Sequence, residues 1–375
     1  MTDSTKYTLL WVGIIIFVFA LTVTGVVFMY RACAKLGFVK KLSKDSKIVK
    51  RLLPLSIEGA FFLIWAGVFT AVNSVIIFIH LTIFRALMDL AGLLIRKASG
   101  KEFKADLKMI AALLVTAVYL SVGYYLCHNV WAVRYDLHTD KDTGGKLRVV
   151  MLADSHLSTT FDGKGFQKHV DSINSENPDV VLIAGDFVDG YSKKTDMIDA
   201  CKALGSIKAK YGVYFAYGNH DRQHYGKAEE MFTDEELQTE LKRNGVRILI
   251  DETELVDNRF YIVGREDKSE ENRLSAEDIV KDLDGSKYII VMDHQPADYD
   301  NEAKTKADLV VSGHTHGGQL FPVTHISFLI TINDRFYGYE KRDNTDFIVT
   351  SGLSDWNLQF KTGTKSEYVV IDIDK

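Results

Sequence analysis

Five short apolar runs, Leu147–Ala153, Asp179–Ala184, Gly212–Tyr217, Tyr288–Met292 and Asp308–Ser312, each end at a Gly or at an Asp or His side chain. Brief runs of Val, Ile, Leu and aromatic residues bounded by turn formers read as buried strands. Open α/β sheets collect ligand sites beyond the carboxyl ends of their strands. The pattern therefore constrains fold and chemistry together. The chain must build a largely buried sheet structure whose strand ends deliver polar side chains to one place.

The segments at those ends are Asp154-Ser155-His156, Gly185-Asp186-Phe187-Val188-Asp189, Gly218-Asn219-His220-Asp221, Asp293-His294-Gln295-Pro296 and Gly313-His314-Thr315-His316-Gly317-Gly318-Gln319. Two imidazoles two residues apart in a Gly-rich turn can both face one polar cavity, as a metal cluster requires. One Asp-x-His or Gly-Asp is ordinarily loop chemistry, but five such segments in one chain call for a common cause. Together they offer Asp, His, Asp, Asn and three further His, a set without thiolate that suits Mn, Fe, Zn or similar divalent ions. Seven ligands exceed what one tetrahedral ion takes and fit two ions sharing a carboxylate. Two ions roughly 3.5–4 Å apart are the usual clamp on the attacking and leaving oxygens of a phosphate ester.

The ordered set D-x-H, G-D-x-x-D, G-N-H-D, H-x-P and G-H-T-H-G-G-Q resembles the calcineurin-like metallophosphoesterases, over about Leu147 to the C-terminus. It looks closest to the membrane-attached bacterial branch of YkuE- and YaeI-type phosphodiesterases. The resemblance implies a four-layer α/β/β/α sandwich with two mixed sheets. It also implies that Asp154, His156 and His316 hold one metal, that Asn219, His294 and His314 hold the other, and that Asp186 bridges them. His220 would sit beside the scissile phosphate, with Asp221 orienting its ring. Some positions depart from the pattern. Ala153 and Ser155 flank the first motif unusually, Ser354 stands where Gly is common, and Lys361 stands where Arg is common. A Lys lacks the bidentate fork of an Arg, which puts substrate contacts near Lys361 in question. Asp189 reads as a supporting or turn residue. Phe215 and Tyr217 read as strand core. His80, His128, His138, His169, His224 and His325 match no motif and read as surface, interfacial or core histidines.

Charge divides the chain. Residues 1–130 carry 15 Lys and Arg against 6 Asp and Glu, and residues 131–375 carry 30 against 44, giving +9 and −14 of the overall −5. The first part reads as a membrane region and the second as an acidic catalytic domain, whose charge argues against nucleic acid as a partner. Leu9–Tyr30 has no charged residue and is long enough to cross about 30 Å of hydrocarbon, and Ile110–Val130 is a second span. Leu52–Ile95 is 44 residues, about 66 Å as helix. That length permits one tilted span or two spans with a turn near Asn73-Ser74.

Arg31–Arg51 holds eight basic residues against Asp45, and Arg96–Lys108 holds five against Glu102 and Asp106. Both loops favour the cytoplasm. They can share it only if Leu52–Ile95 crosses twice, which places the catalytic domain outside. Arg85 and Asp89 would then lie within a span, paired at i,i+4 spacing. Cys33, Cys127 and Cys201 suggest no disulfide framework.

The chain thus reads as a membrane-anchored, two-metal phosphohydrolase. A phosphodiesterase using a hydroxide between the ions is expected, with His220 as acid and a lipid-linked or envelope-derived phosphate ester as substrate. Alternatives are a phosphomonoesterase, a metal-bound scaffold without catalysis, or the regulatory domain of a membrane protein. The complete set of Asn and His ligands argues against the last two.

Overall fold

The computed structural model describes residues 3–222, 231–322 and 333–375. His224 and His325 lie outside them. The chain forms two compact units, Met1–Gly123 and Tyr124–Lys375.

The first unit contains α1 (Asp3–Cys33), α2 (Gly37–Leu42), α3 (Lys47–Val68), α4 (Ala71–Ser99) and most of α5 (Ala105–His128). Helices α1, α3, α4 and α5 are each long and apolar enough to cross a membrane. Phe19, Leu63 and Val118 are among many large apolar side chains that point outward, as on helices meant for an apolar surround. The long stretch Leu52–Ile95 is broken in two. The break falls at Phe69-Thr70, just before the Asn73-Ser74 pair. Thr70 caps α4, accepting hydrogen bonds from Asn73 N (3.2 Å) and Asn73 Nδ2 (2.8 Å). The Ser74 hydroxyl donates to Thr70 O at 2.9 Å. The polar pair thus closes the first turn of a helix instead of forming the turn between helices. At the opposite end Gly37 N donates to Asp106 Oδ1 at 2.9 Å, which joins the two Lys/Arg-rich connections at one end of the unit. The unit ends at Gly123, within α5. The last turn of α5 is hydrogen-bonded into the second unit, where the Ser366 hydroxyl donates to Cys127 O at 2.7 Å.

The second unit carries two six-stranded mixed sheets among the described residues. Its strands are β1 (Val130–His138), β2 (Leu147–Leu152), β3 (Val180–Ala184), β4 (Val213–Ala216), β5 (Val246–Ile248), β6 (Glu252–Val256), β7 (Phe260–Gly264), β8 (Tyr288–Met292), β9 (Leu309–Ser312), β10 (Gly338–Arg342), β11 (Thr345–Val349) and β12 (Ser366–Asp374). One sheet runs β1-β12-β2-β3-β4-β5 and the other β10-β11-β9-β8-β7-β6. Strands β2 to β5 are parallel, as are β7, β8, β9 and β11. The five runs read from the sequence are β2, β3, β4, β8 and β9.

Side-chain alternation along each strand sorts these residues into three apolar layers. Val149, Met151, Leu182 and Tyr214 face Phe260, Ile290, Met292 and Val311 between the sheets. On the far face of the first sheet, Val150, Leu152, Ile183 and Phe215 meet Phe166 and Val170 of α6 (Gly163–Ser175), Met197 of α7 (Lys194–Leu204) and Leu237 of α8 (Asp234–Arg243). On the far face of the second, Val263, Ile289 and Val310 meet Ile279 of α9 (Ala276–Val280) and Tyr299 of α10 (Tyr299–Glu302). Strands buried on both faces need continuous apolar sequence, which explains why the five runs lack a polar alternation. The result is the four-layer α/β/β/α sandwich, preceded by long apolar helices. Its strand ends, at the carboxyl side of β2, β3, β4, β8 and β9, carry the polar segments.

Candidate metal centre

Each polar segment leaves its strand abruptly. Asp154, His156, Asp186, His314 and His316 all adopt positive φ, between 36° and 71°. Non-glycine residues rarely do so, and each instance costs about 1–3 kcal/mol unless its surroundings enforce it. Five such residues at one place mark a site where side-chain aim outweighs backbone comfort. Gly218 shows how tight the approach is. A Cβ there would meet the carboxylate and amide nitrogen of Asp186, so only glycine lets the β3 and β4 ends touch.

The strand ends gather two groups of ligand atoms. Asp154, His156 and His316 form one, and Asp186, His294 and His314 the other. Asn219 joins the second group, with Oδ1 2.8 Å from His314 Nδ1. Asp186 faces both groups. Its Oδ2 lies 3.7 Å from His156 Nε2 and 3.1 Å from His294 Nε2. The seven residues singled out in the sequence are thus brought together.

The donor set fits divalent cations. His294 Nδ1 lies 2.8 Å from Ala184 O. A carbonyl only accepts, so Nδ1 donates to it and Nε2 faces the centre. His294 Nε2 and His156 Nε2 are buried without a hydrogen-bond partner among the described residues. Buried polar atoms are seldom left so, and a metal ligand is the state that satisfies them. Electrostatics agree. Burial works against a charged ring, yet the carboxylates of Asp186 and Asp154 push the pKa of His294 well above its ordinary value. The cluster pulls positive charge to its middle. Burial, joined by neighbouring cationic groups, lowers His314 to about 3. It takes His316 well below the ordinary range as well. Both rings are therefore neutral, as ligation requires.

Two carboxylates stand behind the first group. Asp189 Oδ2 lies 3.2 Å from His156 Nδ1, and Asp355 Oδ1 lies 3.5 Å from His316 Nδ1. A carboxylate behind a ligating ring fixes it and raises its basicity, as Asp189 does for His156, whereas Asp355 Oδ1 is also engaged by Gln319 Nε2 and Trp356 N. Asp189 fills the supporting role expected of it, and its Oδ1 also accepts from Tyr191 N at 2.8 Å. Asp355 went unrecognised in the sequence. The only signal was its place directly after Ser354, one of the positions that depart from the family pattern.

One expectation needs correction, and one open question is answered. Asp221 was expected to orient the His220 ring, but its carboxylate is taken up by backbone. It accepts from Gly218 N (2.7 Å), Asp186 N (2.8 Å) and Val188 N (3.1 Å). Asp221 braces the loops after β3 and β4 against each other, and burial raises its pKa to about 7. Lys361 had put nearby substrate contacts in question. It is fully buried, and its Nζ donates to Ser351 O (2.5 Å) and Ser354 O (2.8 Å). It pins the loop that carries Asp355. His220 remains at the rim. Its backbone N–H donates to Asp186 Oδ1 at 2.8 Å, and its ring lies 5.1 Å from that of Trp356. Burial lowers its pKa. The other described histidines sit away from the centre. His80 bonds Ile76 O within α4, His128 bonds Gln359, His138 pairs with Asp374, and His169 packs on Phe161.

A sandwich of this form with two His/Asp clusters defines a metallophosphoesterase. The chain belongs to the calcineurin-like phosphoesterase family, whose model matches residues 147–318. A transmembrane protein with metallophosphoesterase domain from Danio rerio is 32% identical over 316 residues, covering 78% of this chain and 69% of its own length. An uncharacterized metallophosphoesterase of Campylobacter jejuni is 32% identical over 234 residues, covering 60% of this chain and 59% of its own. The uncharacterized metallophosphoesterase YkoQ of Bacillus subtilis is 26% identical, covering 59% and 82%. Among solved structures, a dimetal phosphatase from Danio rerio aligns with TM-score 0.30 at 14% identity, covering 54% of this chain and 86% of its own.

Proposed function

We propose that this protein is a membrane-anchored phosphodiesterase of the membrane-attached bacterial kind, with its catalytic unit outside the cytoplasm. The observation that carries the reading is Asp186, whose one carboxylate oxygen faces an imidazole of each cluster. Asp154, His156 and His316 would hold one divalent ion, Asn219, His294 and His314 the second, and Asp186 both. Such a pair supplies Lewis acidity at phosphorus oxygens and a water acidic enough to react near neutral pH.

The chain's own groups do the rest. Asp189 and Asp355 hold the rings of His156 and His316 in line. His220, at the rim beside Asp186 and Trp356, is placed to protonate the leaving oxygen of the ester. Asp221 keeps the His220 turn fixed to the β3 loop. The acidic charge of the unit favours a single phosphate diester over a polyanion, and the apolar helices favour a lipid-linked or envelope-derived substrate. The test is hydrolysis of bis-p-nitrophenyl against p-nitrophenyl phosphate with Mn, Zn or Fe. Preference for the diester supports the reading, and turnover of the monoester alone sinks it.

The proposed sidedness rests on the positive charge of the two loops at one end of the helical unit, which favours the cytoplasm. In a background without Cys33, Cys127 and Cys201, reporter cysteines at the exposed positions Lys44, Ser99 and Ser172 separate the arrangements. An impermeant maleimide on intact cells should label Ser172→Cys alone. Labelling of Lys44→Cys or Ser99→Cys would place the catalytic unit in the cytoplasm.

A further inference from the structure

A cavity of about 480 Å³ opens in the helical unit, among the end of α1, the second half of α4 and the start of α5. That volume is in the range of small-molecule sites. Its wall holds four cations, Lys35, Arg85, Arg96 and Lys108, against two anions, Asp89 and Glu102. The pairing is uneven. Asp89 serves two cations at once, contacting Arg85 with Oδ2 and Lys108 Nζ with Oδ1 at 3.0 Å. Glu102, which meets Arg96 at 3.3 Å, is 78% exposed and weakens that pair by solvation. Lys35 has no ion-pair partner among the described residues.

Arg85 is the telling member. It lines the cavity while only 2% exposed, and its Nε has no hydrogen-bond acceptor among the described residues. An incompletely compensated guanidinium inside an apolar helix is expensive, and such residues persist where they meet a ligand. Gly92 contributes room. A Cβ there would lie 2.6 Å from Lys108 Cε, so glycine admits the Lys108 side chain across α4 towards Asp89.

We propose that this cavity binds a phosphate-bearing anion, the chemistry presented by the headgroup of an anionic phospholipid. A guanidinium and ammonium groups around one opening match phosphate oxygens. The cavity also lies at the end of the helices where both Lys/Arg-rich connections meet, the level at which headgroups sit beside such clusters. The site is separate from the metal centre and does not depend on the reaction proposed there.

The test uses the full chain in nanodiscs of phosphatidylcholine with and without one-fifth phosphatidylglycerol, reading protein-bound lipid by native mass spectrometry. Retained phosphatidylglycerol over phosphatidylcholine is expected. The double variant Lys35→Gln/Arg96→Gln, at positions outside the packed interior, should cut that retention about tenfold or more, at roughly a few-fold to tenfold per cation. Its cooperative thermal unfolding should persist. Arg85→Lys asks whether the planar fork matters and should weaken retention without removing the charge. Displacement by millimolar inorganic phosphate would identify the oxyanion itself as what is read, and resistance to it would identify the lipid as the source. Equal retention of both lipids, or a folded double variant that retains phosphatidylglycerol as the native chain does, overturns the proposal.

Discussion

The two halves of the metal centre are built differently. In the first, a carboxylate lies beside each imidazole, Asp189 Oδ2 3.2 Å from His156 Nδ1 and, at a longer reach, Asp355 Oδ1 3.5 Å from His316 Nδ1. In the second, His294 leans on a neutral oxygen, the Ala184 carbonyl at 2.8 Å, while His314 Nδ1 lies 2.8 Å from the oxygen of its fellow ligand Asn219. The first group is wholly buried, whereas His314 of the second is partly exposed. An anion behind a ligating ring makes it a stronger donor. The enclosed half is therefore expected to hold its ion more tightly than the half on the open side, with Asp186 between them.

The largest effect should come from the residue between the halves. Asp186→Ala should abolish turnover and take bound metal from about two ions to one or none, as read by elemental analysis. Two ions with normal turnover would move the shared carboxylate elsewhere. His220→Ala should leave both ions in place while lowering turnover by roughly 10²–10⁴ on an alkyl diester, and by less on a nitrophenyl ester whose leaving group needs little protonation. Equal losses on the two substrates would make His220 a positioning group. Asp189→Asn and Asp355→Asn sharpen the contrast between the halves. Each should weaken the tight ion about 10–100-fold and spare the weaker one, measured by competition with a chromogenic chelator. Parallel weakening of both ions would show that the halves do not act separately.

The smallest effect is a control far from the centre. Asp372 pairs with its cross-strand neighbour Arg148, at 2.7 Å and 2.8 Å, joining β12 to β2. The hydrogen bonds to Arg148 lower its pKa from 3.8 to about 2. A depressed carboxylate stabilises the fold above the unfolded pKa near 4 and loses that contribution as pH falls through 2. Asp372→Asn should therefore cost about 1–2 kcal/mol at neutral pH and nothing near pH 2, by denaturant unfolding. A loss that is the same at both ends would mean that packing, not charge, is what Asp372 supplies.

Much of this architecture was legible in the sequence because the two signals reinforced each other. A strand buried on both faces must be apolar throughout, and a strand end at a metal must switch at once to Asp, His or Gly, so β2, β3, β4, β8 and β9 announced both their extent and their purpose. What escaped notice lies where the partner is backbone or distant in sequence. Asp221 follows the G-N-H motif like a catalytic residue, and only the folded turn shows it spent on three amide nitrogens. Asp355 stands 39 residues beyond His316, with no spacing to link them. The burial of Lys361 under the carbonyl oxygens of Ser351 and Ser354 has no signature in one chain. In the helical unit the break at Thr70 was blurred for the opposite reason. Asn73-Ser74 is the more polar pair, but a capping hydroxyl precedes the polar turn that it caps.

The most direct test of the account is a titration of Mn into the full-length, metal-stripped protein, following bound ion and bis-p-nitrophenyl phosphate turnover together. The first equivalent should enter the carboxylate-backed half and remain silent, and turnover should rise with the second, when Asp186 is shared. Full turnover with one equivalent bound would contradict the two-metal assignment and the division of labour drawn from it.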